Sequence, residues 1–199
     1  MERSALLVID MQRGFLSPAS PLYIDGAPAT VAACTAVIAA CRERGIPVIF
    51  VTRSYRADGS DVEHTRRASW LAGGKPLSPG CAEEISDARP AEFGDDPRDY
   101  HVRKPRYSAF FHTELDLLLR RLGVTRLLLA GTTTPNCIRT TCYDAISLDY
   151  SVTVLSDCTS SKTPKIQASN LQDMANIGAQ ILSSEDFLRR ELVFPENGV

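Results

Sequence analysis

Histidine is scarce in this chain of 199 residues, with three copies, and no Cys-x-x-Cys pair accompanies them. A zinc cage and a thioredoxin-type redox motif are therefore both excluded. Charge of one sign is missing too. The 22 Lys and Arg residues against 24 Asp and Glu leave a formal charge of -2, spread without long single-sign runs, so nucleic acid is not an expected partner. The longest apolar runs, around Ala5 to Ile9 and Leu127 to Ala130, fall far short of the ~18 residues that a membrane helix needs, so no membrane partner is expected. The opening Met1-Glu2-Arg3-Ser4 lacks the basic region and apolar stretch of a secretory signal, and the expectation is a cytoplasmic protein.

With 44% hydrophobic residues, 23% charged residues and 12 each of Gly and Pro, the composition is that of an ordinary globular protein, expected to form a single domain over residues 1–199. Six cysteines stand at positions 34, 41, 81, 137, 142 and 158. In a reducing compartment, and with a core that needs no staples, free thiols are expected. Cys34 and Cys41 share one apolar helical face and read as small core residues.

Leu6 to Ile9, closed by Asp10, reads as a strand buried on both faces. A helix is expected over Ala27 to Arg44, stopped by Gly45, then a strand over Ile46 to Thr52. Residues 53–105, rich in Gly, Pro and Asp, read as one long insert with short helices near His64 to Leu71 and Ala82 to Ile85. Thr113 and Asp116 form a capping pattern ahead of a Leu-rich helix reaching Leu122, and Arg126 to Gly131 is the next buried strand. After a polar turn, a helical face runs from Ile138 to Leu148. Then come a strand over Val152 to Leu155, a helix over Gln167 to Ile177, an edge strand over Ala179 to Leu182 and a last helix over Glu185 to Arg190. This alternation implies an α/β fold: a three-layer α/β/α, doubly wound, mainly parallel sheet.

In such sheets ligands bind beyond the carboxyl ends of the strands, where strand order reverses. Asp10 and Cys137 both follow a strand end. A cysteine opening a helix sits in the positive end of its dipole, which is expected to favour thiolate, so Cys137 is the candidate nucleophile. The free N–H groups of the turn Gly131 to Asn136 could face a developing oxyanion. Lys104 is the third candidate. Arginine serves eighteen cationic positions and lysine four, so a lysine set before a proline and an aromatic cluster suggests a need for a compact charge. Together these three can act as proton acceptor, charge anchor and nucleophile, with no cofactor. A phosphate-cradle reading of Gly131 to Cys137 fails, because neither glycine-rich spacing is present.

The segments Leu6 to Phe15, Arg103 to Phe110 and Ala130 to Cys137, followed by Asp144 and Ala145, resemble the three signature regions of the isochorismatase-like cysteine hydrolases. The likeness spans residues 5 to about 182. It implies a triad of Asp10, Lys104 and Cys137, a cis peptide between Thr132 and Thr133, and an oxyanion hole from the N–H groups of Thr133 and Cys137. It also implies a homo-oligomer, dimer or tetramer. Members that cleave the vinyl ether of isochorismate commonly lack the cysteine, so Cys137 points to the amidase branch.

Nicotinamidases of the family hold a metal through an Asp-x-His pair and a later His, and the segment from Thr52 to His64 has no such pair. Asp58, Asp61 and His64 could in principle ligate a metal at three-residue spacing, but a capped turn entering a short helix fits them better, and no metal is expected. The segment Arg56 to Glu63 and the run from Lys104 to Phe111 are more similar to N-carbamoylsarcosine amidase and ureidoacrylate amidohydrolase. The expected reaction is hydrolysis of the C–N bond of a small amide, carbamoyl or ureido compound through a thioester, releasing ammonia. Phe15, Tyr107, Phe110, Thr134, Gln12 and Trp70 are the expected substrate contacts, with Arg53 and Arg139 nearby. The contrasting expectation is a catalytically silent α/β module that binds a small ligand or a protein partner.

Overall fold

The computed structural model describes residues 3–189. Six strands form one wholly parallel sheet in the order β3-β2-β1-β4-β5-β6. They are β1 (Ser4–Ile9), β2 (Val48–Arg53), β3 (Tyr100–Lys104), β4 (Arg126–Thr132), β5 (Ser151–Ser160) and β6 (Gln180–Leu182). Strand order reverses between β1 and β4, which defines the switch point of a doubly wound sheet.

Because successive strand residues face opposite ways, β1 and β4 feed two cores at once. Leu7, Ile9, Leu127 and Leu129 pack on one face against Leu115 and Leu119 of α4 (Leu115–Arg121), Cys142 and Ala145 of α5 (Arg139–Ser147), and Met174 of α6 (Pro164–Asn176). Leu6, Val8, Leu128 and Ala130 pack on the other against Cys34, Val37, Ile38 and Cys41 of α2 (Val31–Glu43), and Phe187 of α7 (Ser184–Arg189). The three-layer α/β/α architecture follows from the uninterrupted apolar runs of the central strands. Two short helices, α1 (Arg13–Leu16) and α3 (Arg67–Ala72), lie beyond the carboxyl ends of β1 and β2 and help close a third apolar cluster of Phe15, Tyr55, Trp70 and Leu77.

The segment 53–105 is not one structureless insert. Its last residues, Tyr100–Lys104, form edge strand β3, with Arg53 of β2 paired opposite Lys104. The strand escapes a hydropathy reading because it contributes a single buried aliphatic, Val102, between exposed His101 and Arg103. Strand β5 is longer than its apolar stretch: a register shift in β4 between Leu129 and Gly131 lets pairing resume at Thr159 and Ser160. The capping pattern at Thr113 is half right. Thr113 Oγ1 accepts the Leu115 amide at 3.2 Å, whereas Asp116 turns outward to Arg120 at 3.3 Å and to the Tyr150 hydroxyl at 2.8 Å. Arg190, expected to end the last helix, lies outside the described residues.

Gly131 sits at the switch point with φ +120°, and a Cβ there would stand 1.9 Å from the Ile9 carbonyl oxygen. That contact is with neighbouring backbone, which cannot swing aside. Gly131→Ala is therefore expected to destabilise the fold by at least about 3 kcal/mol, a drop of roughly 6–12 °C in Tm measured by calorimetry. An unchanged Tm would contradict the close β1–β4 approach.

Candidate active site

Four adjacent strands deliver their last residues to one place. Asp10 follows β1, Arg53 ends β2, Lys104 ends β3, and Cys137 lies one turn beyond β4. Asp10 takes a left-handed conformation, φ 52°, which aspartate tolerates better than most residues, while its amide still donates to Val51 O at 2.9 Å. Its carboxylate is fully buried and lies 2.7 Å from the equally buried Lys104 ammonium. Lys104 Nζ also donates to Arg106 O at 2.9 Å. The Cys137 thiol is near enough for the carboxylate to act on it electrostatically. The carboxylate thus stands close to both a fixed cation and a buried thiol.

The peptide Thr132–Thr133 is cis, and the chain then runs through a five-residue π turn, Thr134–Ile138, into α5. The amides of Asn136 and Ile138 both donate to Thr133 O, at 3.0 and 3.2 Å. Asn136 Nδ2 donates to Thr133 Oγ1 at 3.1 Å and braces the turn from the side.

The helix start does not lower the thiol. Burial pushes Cys137 above the ordinary thiol range, the Asp10 carboxylate adds to the rise, and Lys104 and Arg53 only partly offset it. Desolvation inside the protein outweighs a dipole from one short turn. The site therefore favours a thiol over a free thiolate.

A cavity of about 200 Å³ opens onto Cys137, walled by Phe15, Leu22, Arg53, Tyr107, Thr133 and Asn136, with Arg66 and Lys162 also on its lining. A second hollow of about 210 Å³ adjoins it across Phe15, Arg53 and Arg66 and is lined by Trp70, Tyr55 and Val62. A larger hollow, about 410 Å³, lies at the opposite end of the strands, beside Tyr150 and Gly178.

The expected substrate contacts divide. Phe15, Tyr107 and Arg53 line the cavity with the thiol, and Trp70 lines the adjoining hollow. Thr134 is fully buried and donates to Ser160 O at 3.0 Å, tying the turn after β4 to β5 instead of facing the cavity. Phe110 stacks on Tyr150, 5.9 Å between centroids, and belongs to the core packing. Gln12 brackets the Arg53 peptide, accepting its amide at 3.0 Å and donating to its carbonyl at 2.8 Å, so it positions Arg53. Arg139 points outward to Asn170 and Asp173, at 3.2 and 3.3 Å. Arg66, Asn136 and Lys162, which line the cavity, were absent from the sequence-based set because irregular turns bring them there, as was Glu63, which pairs with Arg53 behind it. Scarcity was the one available signal for Lys162, since it is one of only four lysines.

Asp58, Asp61 and His64 do not gather. Asp58 accepts the Ser60 amide at 2.9 Å in a tight turn, and Asp61 takes the Arg56 amide at 2.8 Å and an ion pair with Arg103 at 3.1 Å. Among the described residues no three His, Cys, Asp or Glu side chains cluster in a way that could hold a metal.

The Isochorismatase domain model matches residues 4–186. The chain belongs to the isochorismatase family. It is a hydrolase of that family with a parallel-sheet α/β architecture, and its relatives include amidohydrolases. It is 41% identical over 180 residues to a probable inactive nicotinamidase of Arabidopsis thaliana, covering 89% of this chain and 90% of that one. It is 31% identical to the ureidoacrylate amidohydrolase RutB of Variovorax paradoxus, covering 94% of this chain and 80% of that one. The crystal structure of an isochorismatase family protein from Desulfovibrio vulgaris superposes with a TM-score of 0.87 at 39% identity, over 96% of this chain and all of that one.

Two expectations follow from the site. Removing one member of the Asp10–Lys104 pair strands the other in a dry interior, so Lys104→Met should cost about 3–5 kcal/mol in urea unfolding, and Asp10→Asn/Lys104→Met should cost less than the sum of the single changes. Alkylation of Cys137 by iodoacetamide, followed on its own peptide by mass spectrometry, should keep accelerating with pH beyond the ordinary thiol value of ~8.5. A plateau below neutrality would show a preformed thiolate.

Proposed function

We propose that this protein hydrolyses the C–N bond of a small amide, carbamoyl or ureido compound by covalent catalysis at Cys137. The observation that carries the reading is the buried Asp10 carboxylate held 2.7 Å from Lys104 and close enough to Cys137, which lines a small cavity, to act on its thiol. Attack forms a bond from Sγ to the carbonyl carbon while the thiol proton passes to Asp10. The oxygen of the tetrahedral adduct takes hydrogen bonds from the amides of Thr133 and Cys137, each worth about 2.7–4 kcal/mol of barrier in comparable sites. The C–N bond then breaks as Asp10 returns the proton to nitrogen, releasing ammonia and leaving a thioester. Water, deprotonated by Asp10, adds to the thioester carbon; the C–S bond breaks, and the proton goes back to sulfur.

A raised thiol suits this sequence of steps. The proton leaves as the C–S bond forms, so no solvent-exposed thiolate has to persist. Lys104 keeps the carboxylate in place throughout, and proton transfer of this kind supplies ~10²–10⁴ in rate.

The proposal also places the protein in the reducing cytoplasm as a dimer or tetramer. All six cysteines are free, no helix among the described residues is long and apolar enough to cross a membrane, and Leu71, Phe111 and Leu117 are exposed apolar side chains available for self-association. A silent binding module is the second reading, kept because one relative is described as a probable inactive nicotinamidase.

The test is ammonia release from carbamoyl, ureido and simple carboxamide compounds, nicotinamide included, by wild type and Cys137→Ala. The wild type is expected to turn over at least one class with nicotinamide among the poorest, and Cys137→Ala to lose about 10⁴-fold or more with an unchanged Tm. Equal activity in both proteins would overturn the mechanism, and release by neither would favour the binding module.

A further inference from the structure

The end of β5 and the turn after β4 meet through buried hydroxyls. Thr132, Thr134, Thr159, Ser160 and Ser161 are each at most 5% exposed. Aliphatic side chains would fill the same space without the desolvation that a hydroxyl costs, so these groups must be held by partners, and the partners form a pattern. Ser160 stands opposite Thr132 in the β4–β5 ladder. Its hydroxyl donates to Thr132 Oγ1 at 3.0 Å, and its carbonyl accepts from the Thr134 hydroxyl at 3.0 Å. One residue of β5 thus grips the chain on both sides of Thr133, which lines the cavity with Cys137.

Ser160 is itself held. Gln167 reaches over from α6 and donates through Nε2 to Thr159 O at 3.2 Å and Thr159 Oγ1 at 3.0 Å, while its Oε1 accepts the Ser161 hydroxyl at 2.9 Å. These bonds fall on the residues directly before and after Ser160. A Cβ at Gly26 would stand 2.7 Å from Ser161 O, so the chain ahead of α2 also packs straight onto this strand end. Thr133 is braced from its far side, its carbonyl accepting the amides of Asn136 and Ile138. Its own N–H lies in the peptide plane that it shares with Thr132, so the aim of that N–H follows where Thr132 and Thr134 are held. A dry, connected network of hydroxyls fixes one such geometry, where aliphatic packing would allow several.

We propose that Ser160 is a positioning residue for the oxyanion donors: by holding Thr132 with its hydroxyl and Thr134 with its carbonyl, it aims the Thr133 amide at the reacting oxygen of the substrate. The inference rests on the amide-hydrolase reading, in which that amide stabilises the tetrahedral adduct. Ser160 touches neither substrate nor sulfur in this role. Its effect therefore falls on steps that build charge on the oxygen, and spares a displacement at saturated carbon, which builds none there.

Two reagents for Cys137 separate these kinds of step. Propionaldehyde gives a thiohemiacetal: Sγ bonds to the carbonyl carbon, and the thiol proton ends on the former carbonyl oxygen, which then takes the place of the adduct oxygen. Iodoacetamide alkylates the same sulfur by displacing iodide, with no charge developing on an oxygen. Aldehyde affinity is read as protection of Cys137 against iodoacetamide, followed on its own peptide by mass spectrometry. Ser160→Ala is expected to weaken that protection about 10-fold or more, to change alkylation without aldehyde by less than about twofold, and to lower kcat for ammonia release about 10- to 100-fold at unchanged KM. Thr132→Val, which removes the acceptor at nearly the same size, serves the same comparison should Ser160→Ala not fold. The double variant is expected to lose no more than the worse single one, because both remove one bond. Unchanged protection in the variants, protection and alkylation falling together, or a wild type that the aldehyde does not protect overturns the proposal. Failure of the amide-hydrolase reading shows separately, in ammonia release that is absent from wild type or unaffected by Cys137→Ala.

Discussion

A carboxylate and an ammonium, both without solvent contact and 2.7 Å apart, hold the centre of this protein's chemistry together. Neither ion could be buried alone, because the desolvation of one charge is offset only by the presence of the other and by further polar contacts. The pair therefore dictates where its neighbours stand. It requires β1 and β3 to end at the same level on either side of β2, and it fixes the carboxylate on the side that faces the turn after β4. A surface ion pair imposes no such condition, since water would replace either partner.

The same constraint explains why the thiol is raised rather than lowered. A site dry enough to make Asp10–Lys104 a defined pair is also dry enough to penalise a sulfur anion, and the nearby carboxylate adds to that penalty. Asp10 thus discourages the free thiolate, and in the proposed reaction it would be the acceptor for the thiol proton. The cations Lys104 and Arg53 lie close enough to moderate the first effect without cancelling it.

How much of this could be read from the sequence differs from residue to residue, for physical reasons. Asp10 and Cys137 were legible because each directly follows an apolar run, and a fully buried parallel strand leaves an unmistakable hydrophobic signature. Lys104 was legible through its rarity and the motif around it, although the strand that carries it was not: Tyr100–Lys104 is an edge with one buried aliphatic, and its place is set by pairing with β2. Phe110 and Thr134 show the opposite error. Both lie inside signature segments, but one packs on Tyr150 and the other ties the turn after β4 to β5, so membership of a motif marked structural necessity as readily as contact with a ligand. Arg66 and Lys162 reach the cavity from irregular segments, where no periodicity records direction.

The connection between β2 and β3 leaves the sheet at Arg53, beside the site, and rejoins it at Tyr100, at the opposite end of the ladder, from where β3 carries the chain back to Lys104. Residues 54–99 run outside the sheet ladder, and Arg53 and Lys104, paired in it, hold their places whatever path the connection takes. Loops held this way tolerate wholesale rewriting at small thermodynamic expense. Lineages sharing this scaffold can exchange cavity walls, through insertion or recombination within residues 54–99, while Asp10, Arg53 and Lys104 at the strand ends are inherited intact.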